Sequence, residues 1–200
     1  MNIILLSGGS GKRLWPLSND IRSKQFIKIF KDENGEEQSM LQRVYGQIKA
    51  VDKDASITIA TSKSQVSAIK NQLADKVNIS VEPCRRDTFP AIALSVCYLH
   101  DVLGISEDEA VVVSPVDPYV DEEYFQAFSD LARLAEQEEN NLVLMGIEPT
   151  YPSEHMAILF LMVLKRLAQS ACLRKSQMLL QLSNISSKVH CGTVVFLRLS

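Results

Sequence analysis

The stretch that decides the fold is Ile3-Ile4-Leu5-Leu6-Ser7-Gly8-Gly9-Ser10-Gly11-Lys12-Arg13-Leu14-Trp15-Pro16-Leu17-Ser18. Its apolar residues predict a buried strand that ends at a glycine-rich loop, and two cations follow. Glycine permits positive φ and a close approach of the backbone to a ligand, and successive backbone N–H groups form an anion-binding concavity. The stretch therefore indicates a phosphate site, although a glycine-rich turn without a ligand is at this point an equally good interpretation.

Neither of two common phosphate motifs fits this loop. The Walker A motif requires glycine where Leu6 stands and Ser or Thr where Arg13 stands. The Rossmann glycine pattern requires glycine where Leu14 stands. A further lysine, Lys24, follows close behind the loop in the run SKQF, which strengthens the phosphate interpretation.

Apolar periodicity predicts alternating strands and helices. The predicted strands are residues 3–6, 57–60, 77–81, 110–113 and 142–147. Ser39 and Thr88 are predicted to cap two helices, and two more are predicted to begin at a capping box over residues 62–65 and at Asp121. This alternation predicts an α/β fold with a doubly wound, mostly parallel sheet covered by helices on both faces. Ligands of such sheets bind beyond the carboxyl ends of the strands, so the glycine loop, residues 82–88 and Asp117 are expected to converge on one site.

Three blocks of sequence together resemble the sugar-phosphate nucleotidyltransferases. The first is the glycine loop with Lys24-Gln25-Phe26, and its LWPLS run looks like the mannose-1-phosphate guanylyltransferase branch. The second is EPCRRDTFPAI at residues 82–92, which is similar to the family's EPxxRNTAPAI, with Asp87 in place of Asn and Phe89 in place of Ala. The third is SPVDP at residues 114–118, which resembles PSDH with Pro118 in place of His. The resemblance covers residues 1–154.

The resemblance implies a Rossmann-like nucleotide-diphospho-sugar transferase fold. It implies an enzyme that converts GTP and mannose 1-phosphate to GDP-mannose and pyrophosphate. Arg13 and Lys24 would be the catalytic cations that act on the phosphates, and Asp117 would hold Mg²⁺. The implied nucleotide-binding residues are Leu6, Gly8, Gly9, Gly11, Lys12, Glu82, Arg86, Asp87 and Thr88.

Composition and charge agree with a soluble enzyme. The hydrophobic fraction of 46% and the charged fraction of 22% are typical of globular chains. The net charge of −3 gives no indication of a nucleic-acid surface. No signal peptide is predicted, because the first apolar run is short and ends in glycines. We therefore expect a cytoplasmic protein with GTP and a sugar 1-phosphate as partners, without nucleic acid or membrane, and leave homo-oligomer formation open.

The C-terminal tail departs from this pattern. Residues 156–200 contain six Lys and Arg but no Asp, Glu or Pro. The tail could be a basic or membrane-surface segment, a genuine C-terminal element, or translation in a shifted reading frame. The shifted frame is favoured, because it allows GALWNxGVF over residues 189–197, which resembles the family's sugar-binding signature. The predicted organisation is a nucleotide-binding part at residues 1–154, C-terminally incomplete, followed by an aberrant out-of-frame tail at 155–200 that impairs activity.

Two other functions remain open. Asp87 and Pro118 depart from the family pattern, which favours a catalytically silent nucleotide-binding relative. The other is a nucleotidyltransferase that uses UTP or dTTP with a different sugar 1-phosphate, although Trp15 argues against it.

Overall fold

Ten strands and four helices make up the described part of the chain. The computed structural model describes residues 1–9, 16–19, 23–136, 142–147, 158–160, 173–174 and 189–198. The strands are β1 (Asn2–Leu6), β2 (Lys28–Lys31), β3 (Glu37–Ser39), β4 (Ser56–Ser62), β5 (Asn78–Glu82), β6 (Ala110–Pro115), β7 (Leu142–Ile147), β8 (Ile158–Phe160), β9 (Leu173–Arg174) and β10 (Val189–Arg198). The helices are α1 (Met40–Val51), α2 (Val66–Leu73), α3 (Thr88–Asp101) and α4 (Glu122–Glu136), and short 3₁₀ turns occupy Lys24–Phe26 and Lys63–Gln65.

The chain divides into two units. The first unit contains Met1–Val143 and Val195–Ser200, and the second contains Leu144–Val194. This division differs from the boundary between residues 154 and 155 that the sequence predicts. Every described residue of the candidate site belongs to the first unit.

Parallel strands form the central sheet of the first unit. The strand order is β5-β4-β1-β6, and β1 pairs in parallel with both β4 and β6. Leu6 lies opposite Ala60 on one side and Pro115 on the other. The predicted α/β fold is confirmed, and the carboxyl ends of these strands meet at one edge of the sheet.

Both faces of this sheet are buried. On one face Ile4 and Val111 pack with Ile92 and Leu99 of α3 in a single apolar cluster. Successive side chains of a strand point to opposite faces, so Ile3 lies on the other face, and it is also completely buried. This explains why β1 and β6 each carry a run of successive apolar residues rather than an alternating pattern, as expected for central parallel positions.

The predicted helix starts are partly corrected. Ser39 caps α1 with a complete capping box, as the sequence predicts. The capping box predicted at residues 62–65 does not form: a 3₁₀ turn intervenes and Ser62 makes no capping hydrogen bond. Helix α3 is capped by Asp87 rather than by Thr88, which is its first residue. Both errors arise because several polar residues in a row can each serve as a cap.

A hairpin and part of the tail are strands that sequence periodicity misses. Strands β2 and β3 pair antiparallel, with a turn in which Asp32 accepts backbone hydrogen bonds and Gly35 has φ +82°. The hairpin escapes detection because its strands are short and Ile29 is two-thirds exposed. Residues 195–198 of β10 pair antiparallel with β6, so these residues of the predicted aberrant tail extend the sheet of the first unit.

Antiparallel pairs are present in the second unit, where β8 pairs with residues 189–191 of β10 and with β9. Among the helices that the structure describes in the whole chain, none is long and apolar enough to cross a membrane.

Two buried threonines of β4 offer a matched test of the packing. Both Thr58 and Thr61 are fully buried. The Thr58 hydroxyl has no hydrogen-bond partner among the described residues, whereas the Thr61 hydroxyl donates to Gln65 Oε1 at 2.8 Å. We expect Thr58→Val to leave the free energy of unfolding unchanged or to raise it by up to ~1 kcal/mol, because a buried unpaired hydroxyl is costly. Thr61→Val should lower it by ~1–3 kcal/mol.

Urea unfolding of both variants and the parent chain measures this difference. Equal destabilisation by the two substitutions would contradict the hydrogen-bond assignment.

Candidate active site

The candidate site lies where the chain leaves the carboxyl ends of β1, β5 and β6. The backbone N–H of Ser7 donates to the Ala60 carbonyl at 2.9 Å, which continues the pairing of β1 and β4 by one residue. Gly8 and Gly9 then emerge exposed at the sheet edge. The glycine loop therefore begins on a rigid strand and opens to solvent within two residues.

The Glu82 carboxylate faces the glycine loop. Glu82 is the last residue of β5, and a Cβ added at Gly8 would lie 3.7 Å from Glu82 Oε1. Only 7% of Glu82 is exposed, and this burial raises the pKa of its carboxyl above the usual range, while the charge of Arg85 partly offsets the increase. The described structure thus places an acceptor-only group beside the loop at an electrostatic cost.

Lys24 and Asp117 form an ion pair across the site. Lys24 Nζ contacts Asp117 Oδ2, and both side chains are a little under half exposed. Lys24 lies in the 3₁₀ turn that follows the glycine loop in sequence, and Asp117 lies just beyond β6. The convergence predicted from the sequence names the glycine loop, residues 82–88 and Asp117 but not Lys24, and the structure brings Lys24 to Asp117.

The next turn of chain fixes the position of Lys24. Gln25 is buried, and its Nε2 donates to both the carbonyl and the hydroxyl oxygen of Ser7 at 3.1 Å. The turn that carries Lys24 is therefore hydrogen-bonded to the start of the glycine loop. Sequence reasoning quotes Gln25 but assigns it no role.

Helix α1 and the hairpin hold the segment that carries Asp117. The Val120 carbonyl accepts hydrogen bonds from Arg43 at 3.2 Å and from Gln47 at 3.0 Å. The Tyr119 ring stacks on Phe30 with centroids 5.6 Å apart, and the Arg43 guanidinium lies 4.7 Å from the Tyr119 centroid. These contacts restrain the chain just after Asp117, and no sequence motif predicts them.

Strained backbone marks the start of α3. Asp87 has φ +74° and ψ −171°, a region that is essentially restricted to glycine. Its Oδ1 accepts from the Thr88 N–H at 2.8 Å, which compensates part of the strain. Arg86, Asp87 and Thr88 are all exposed, so their side chains are available to a ligand.

Of the other residues predicted for the site, Leu6 is described by the structure and three are not. Leu6 packs its side chain against the apolar cluster under α3, so only its backbone is near the loop. Gly11, Lys12 and Arg13 lie outside the described residues. Of the two neighbouring arginines, Arg86 is predicted from the sequence to bind the nucleotide. The charge of Arg85 lowers the pKa of Glu82.

The described residues contain no ready-made metal cluster. No group of three or more His, Cys, Asp or Glu side chains in that part of the chain could hold a metal ion. Asp117 offers a single carboxylate. Magnesium is commonly held by one or two carboxylates together with substrate phosphates, so a lone Asp117 is compatible with a metal that enters with a nucleotide.

Comparison with known proteins identifies the family of this chain. Residues 2–155 match the nucleotidyl transferase family. The chain is 37% identical over 153 residues to the xanthan biosynthesis protein XanB of Xanthomonas campestris and 30% identical over 156 residues to a mannose-1-phosphate guanylyltransferase of Escherichia coli. Each match covers 74% of this chain but only 31% of the relative.

A solved structure shares the fold. The crystal structure of a protein named mannose-1-phosphate geranyltransferase, from Thermus thermophilus, superposes with a TM-score of 0.72 at 24% identity, over 98% of this chain and 56% of that chain. This likeness concerns the fold alone. The family match over residues 2–155 leads to one conclusion: the chain belongs to the nucleotidyl transferase family, a family of enzymes.

Proposed function

We propose that the chain is the nucleotide-binding part of a mannose-1-phosphate guanylyltransferase, which forms GDP-mannose and pyrophosphate from GTP and mannose 1-phosphate. The observation that carries the proposal is the buried Glu82 carboxylate beside Gly8, at the sheet edge where Lys24 meets Asp117. The name of the Escherichia coli relative supports the choice of substrates.

The chemistry of Glu82 favours guanine over uracil. A carboxylate can only accept hydrogen bonds. Guanine presents two adjacent donors, N1–H and N2–H₂, on its Watson–Crick edge. Uracil presents one donor, N3–H, between two carbonyl oxygens that a carboxylate would repel. The two donors of guanine would therefore offset the cost of burying the Glu82 carboxylate, whereas uracil would not.

The reaction requires charge stabilisation more than covalent chemistry. A phosphate oxygen of the sugar 1-phosphate attacks the α-phosphorus of GTP, the bond from that phosphorus to the bridging oxygen breaks, and pyrophosphate leaves. Positioned cations and backbone N–H groups supply most of the catalysis in such transfers. Arg13 and Lys24 would offset the charge on the phosphates, while the N–H groups of the glycine loop would bind them.

Asp117 is suited to a divalent metal that arrives with the nucleotide. Magnesium supplies charge neutralisation and orients the phosphates when it is bound. Asp117 would provide a carboxylate ligand, and Lys24 would then exchange its contact with Asp117 for a phosphate oxygen. The two side chains are partly exposed, so this exchange has a low cost in stability.

A catalytically silent relative is the second candidate, and Asp87 favours it. Asp87 places an exposed negative charge in the strained turn before α3, where the resembled family has a neutral Asn. A negative charge there opposes the approach of a nucleotide triphosphate. Binding without turnover in a chain with an intact reading frame would identify this second function.

The tail at residues 155–200 is proposed to be translated out of frame. The family match ends at residue 155, which coincides with the point where acidic residues cease. The sugar-binding residues of the family would then be encoded in the other frame, and this chain would have little transferase activity.

The first prediction concerns nucleotide choice. We expect the folded chain to bind GTP–Mg²⁺ more tightly than UTP–Mg²⁺ in titration calorimetry. Glu82→Gln should weaken GTP binding about tenfold or more, because a charged acceptor for two donors is lost. Glu109→Gln, at the amino end of β6, is the matched control and should leave affinity unchanged.

The same variant has an expected effect on stability. The folded pKa of Glu82 lies above its unfolded value, so the folded state binds this proton more tightly and loses stability as pH rises through that range. Glu82→Gln should therefore unfold at a higher temperature than the parent at pH 7, and the difference should vanish below pH ~4.

Equal affinity of a folded sample for GTP and UTP would refute the guanine assignment.

The second prediction separates catalysis from stability at the ion pair. In an enzyme with the reading frame restored, Lys24→Ala and Asp117→Asn should each lower kcat/KM by about a hundredfold or more. Each should change the free energy of unfolding by no more than ~1 kcal/mol, because the pair is partly exposed. Arg133→Ala, which removes the exposed pair with Asp130 on α4, is the control and should retain full activity. A fully active Lys24→Ala enzyme would show that Lys24 does not stabilise charge on the phosphates. Arg13→Ala tests the other proposed catalytic cation in the same assay.

The third prediction concerns the tail. Adding one base or deleting two near codon 155 should recover soluble protein and GDP-mannose synthesis, which chromatographic product analysis measures. The physical reason is that out-of-frame residues have not been selected to cover the apolar surface of the domain. Robust GDP-mannose synthesis by the purified 200-residue chain would contradict the frameshift, as would a stop codon in the second frame before the position of Cys191.

A further inference from the structure

A buried polar network connects the two ends of the segment at residues 10–22. Ser23 Oγ donates to the Gly9 carbonyl at 3.1 Å. Gln65 Nε2 donates to Ser23 Oγ at 2.7 Å and to the same Gly9 carbonyl at 3.3 Å. Gln65 Oε1 accepts from the Thr61 hydroxyl at 2.8 Å. Ser23, Thr61 and Gln65 are all fully buried.

We propose that Gln65 is a positioning residue for the phosphate-binding loop. Its amide ties Gly9 of the glycine loop to Ser23, the residue before Lys24. The inference rests on the proposed function, because it assigns Gln65 a role in nucleotide binding. Gln65 itself lies beneath the loop, is inaccessible to solvent and does not touch the nucleotide.

Gln65 is hydrogen-bonded through Thr61 to the central parallel sheet. Thr61 belongs to β4, which pairs with β1 through residues 56–60 and with β5 through residues 58–62. The first residue of the loop, Ser7, continues that pairing through its bond to Ala60. The position of β4 is therefore transmitted through Thr61 and Gln65 to Gly9, two residues beyond Ser7.

The chemistry of the site requires a neutral amide. Gln65 donates two hydrogen bonds and accepts one, which a carboxylate cannot do, since it has no proton to donate. A glutamate would also place a buried charge against the Gly9 carbonyl, at a high desolvation cost. A leucine of similar size would leave the Thr61 hydroxyl and the Ser23 hydroxyl each short of a partner.

The functional consequence is a fixed direction for the loop backbone. Gln25 binds the Ser7 carbonyl and Gln65 binds the Gly9 carbonyl, so the carbonyl groups of the residues before and after Gly8 are restrained before any ligand arrives. Donors that are oriented in advance bind an anion without a cost of reorganisation. Removing Gln65 should therefore weaken binding of the triphosphate without altering the base contacts at Glu82.

Variants of the full 200-residue chain test this role in two ways. The first measurement is the rate of trypsin cleavage after Lys12 and Arg13, followed by mass spectrometry, which needs no ligand. The second is the affinity for GTP–Mg²⁺ by calorimetry. Gln65→Leu should raise the cleavage rate and weaken GTP binding, each about tenfold, and Ser23→Ala should act in the same direction with less effect on folding.

Gln72 provides a matched control. It also makes two partly buried hydrogen bonds, donating to the Phe26 carbonyl at 2.8 Å and accepting from Ser39 Oγ at 2.6 Å, and neither bond involves Gly9 or Ser23. Gln72→Leu should lower the melting temperature to a similar extent as Gln65→Leu, with little change in cleavage at residues 12–13 or in GTP affinity.

Each outcome has a defined meaning. Unchanged cleavage and affinity in folded Gln65→Leu and Ser23→Ala would overturn the proposal, as would equal changes in Gln72→Leu. Selectively faster cleavage, without GTP binding by the parent or any variant, would support the positioning of the loop and overturn the proposed function.

Discussion

The parallel pairing of β1 with β4 and β6 is the constraint on which the rest of the structure depends. It brings the carboxyl ends of these strands to one edge of the sheet, so that Gly8, Glu82 and Asp117 leave the core near one another. Buried side chains on both faces of the sheet stabilise this arrangement. The loops at this edge can then hold functional residues in defined positions, as is common in α/β enzymes.

The polar groups of the site are supported unequally. Carbonyls of the glycine loop are held by buried glutamines, whereas Lys24 and Asp117 are partly exposed and pair with each other. This difference suits nucleotidyl transfer. The backbone donors must be oriented in advance, while the ion pair must separate when phosphate and metal enter. Glu82 lies between these extremes, since its burial raises its pKa in the free protein and the charge of Arg85 offsets only part of that increase.

Much of the fold follows from local sequence, because the strand signals are strong. The apolar run before Gly8 and the continuous apolar stretch of β6 are typical of central strands, and their order fixes the site edge. The role of Gln65 could not be predicted. Its spacing from Ser62 matches a capping box, yet its side chain points to Gly9, 56 positions earlier in the chain. Local patterns do not report such distant contacts, and for the same reason the contact of Arg43 with Tyr119 was missed.

The most direct measurement of the central claim is an NMR titration of the isotope-labelled chain with GTP–Mg²⁺, in which backbone amide shifts report the binding surface. The account predicts that the largest perturbations fall at residues 7–9, residues 82–88 and Asp117, at the carboxyl ends of the strands. Amides at the amino ends, such as Asn2 and Ala110, should be unaffected. Perturbations concentrated at those amino ends, or none in a folded sample at saturating nucleotide, would contradict it.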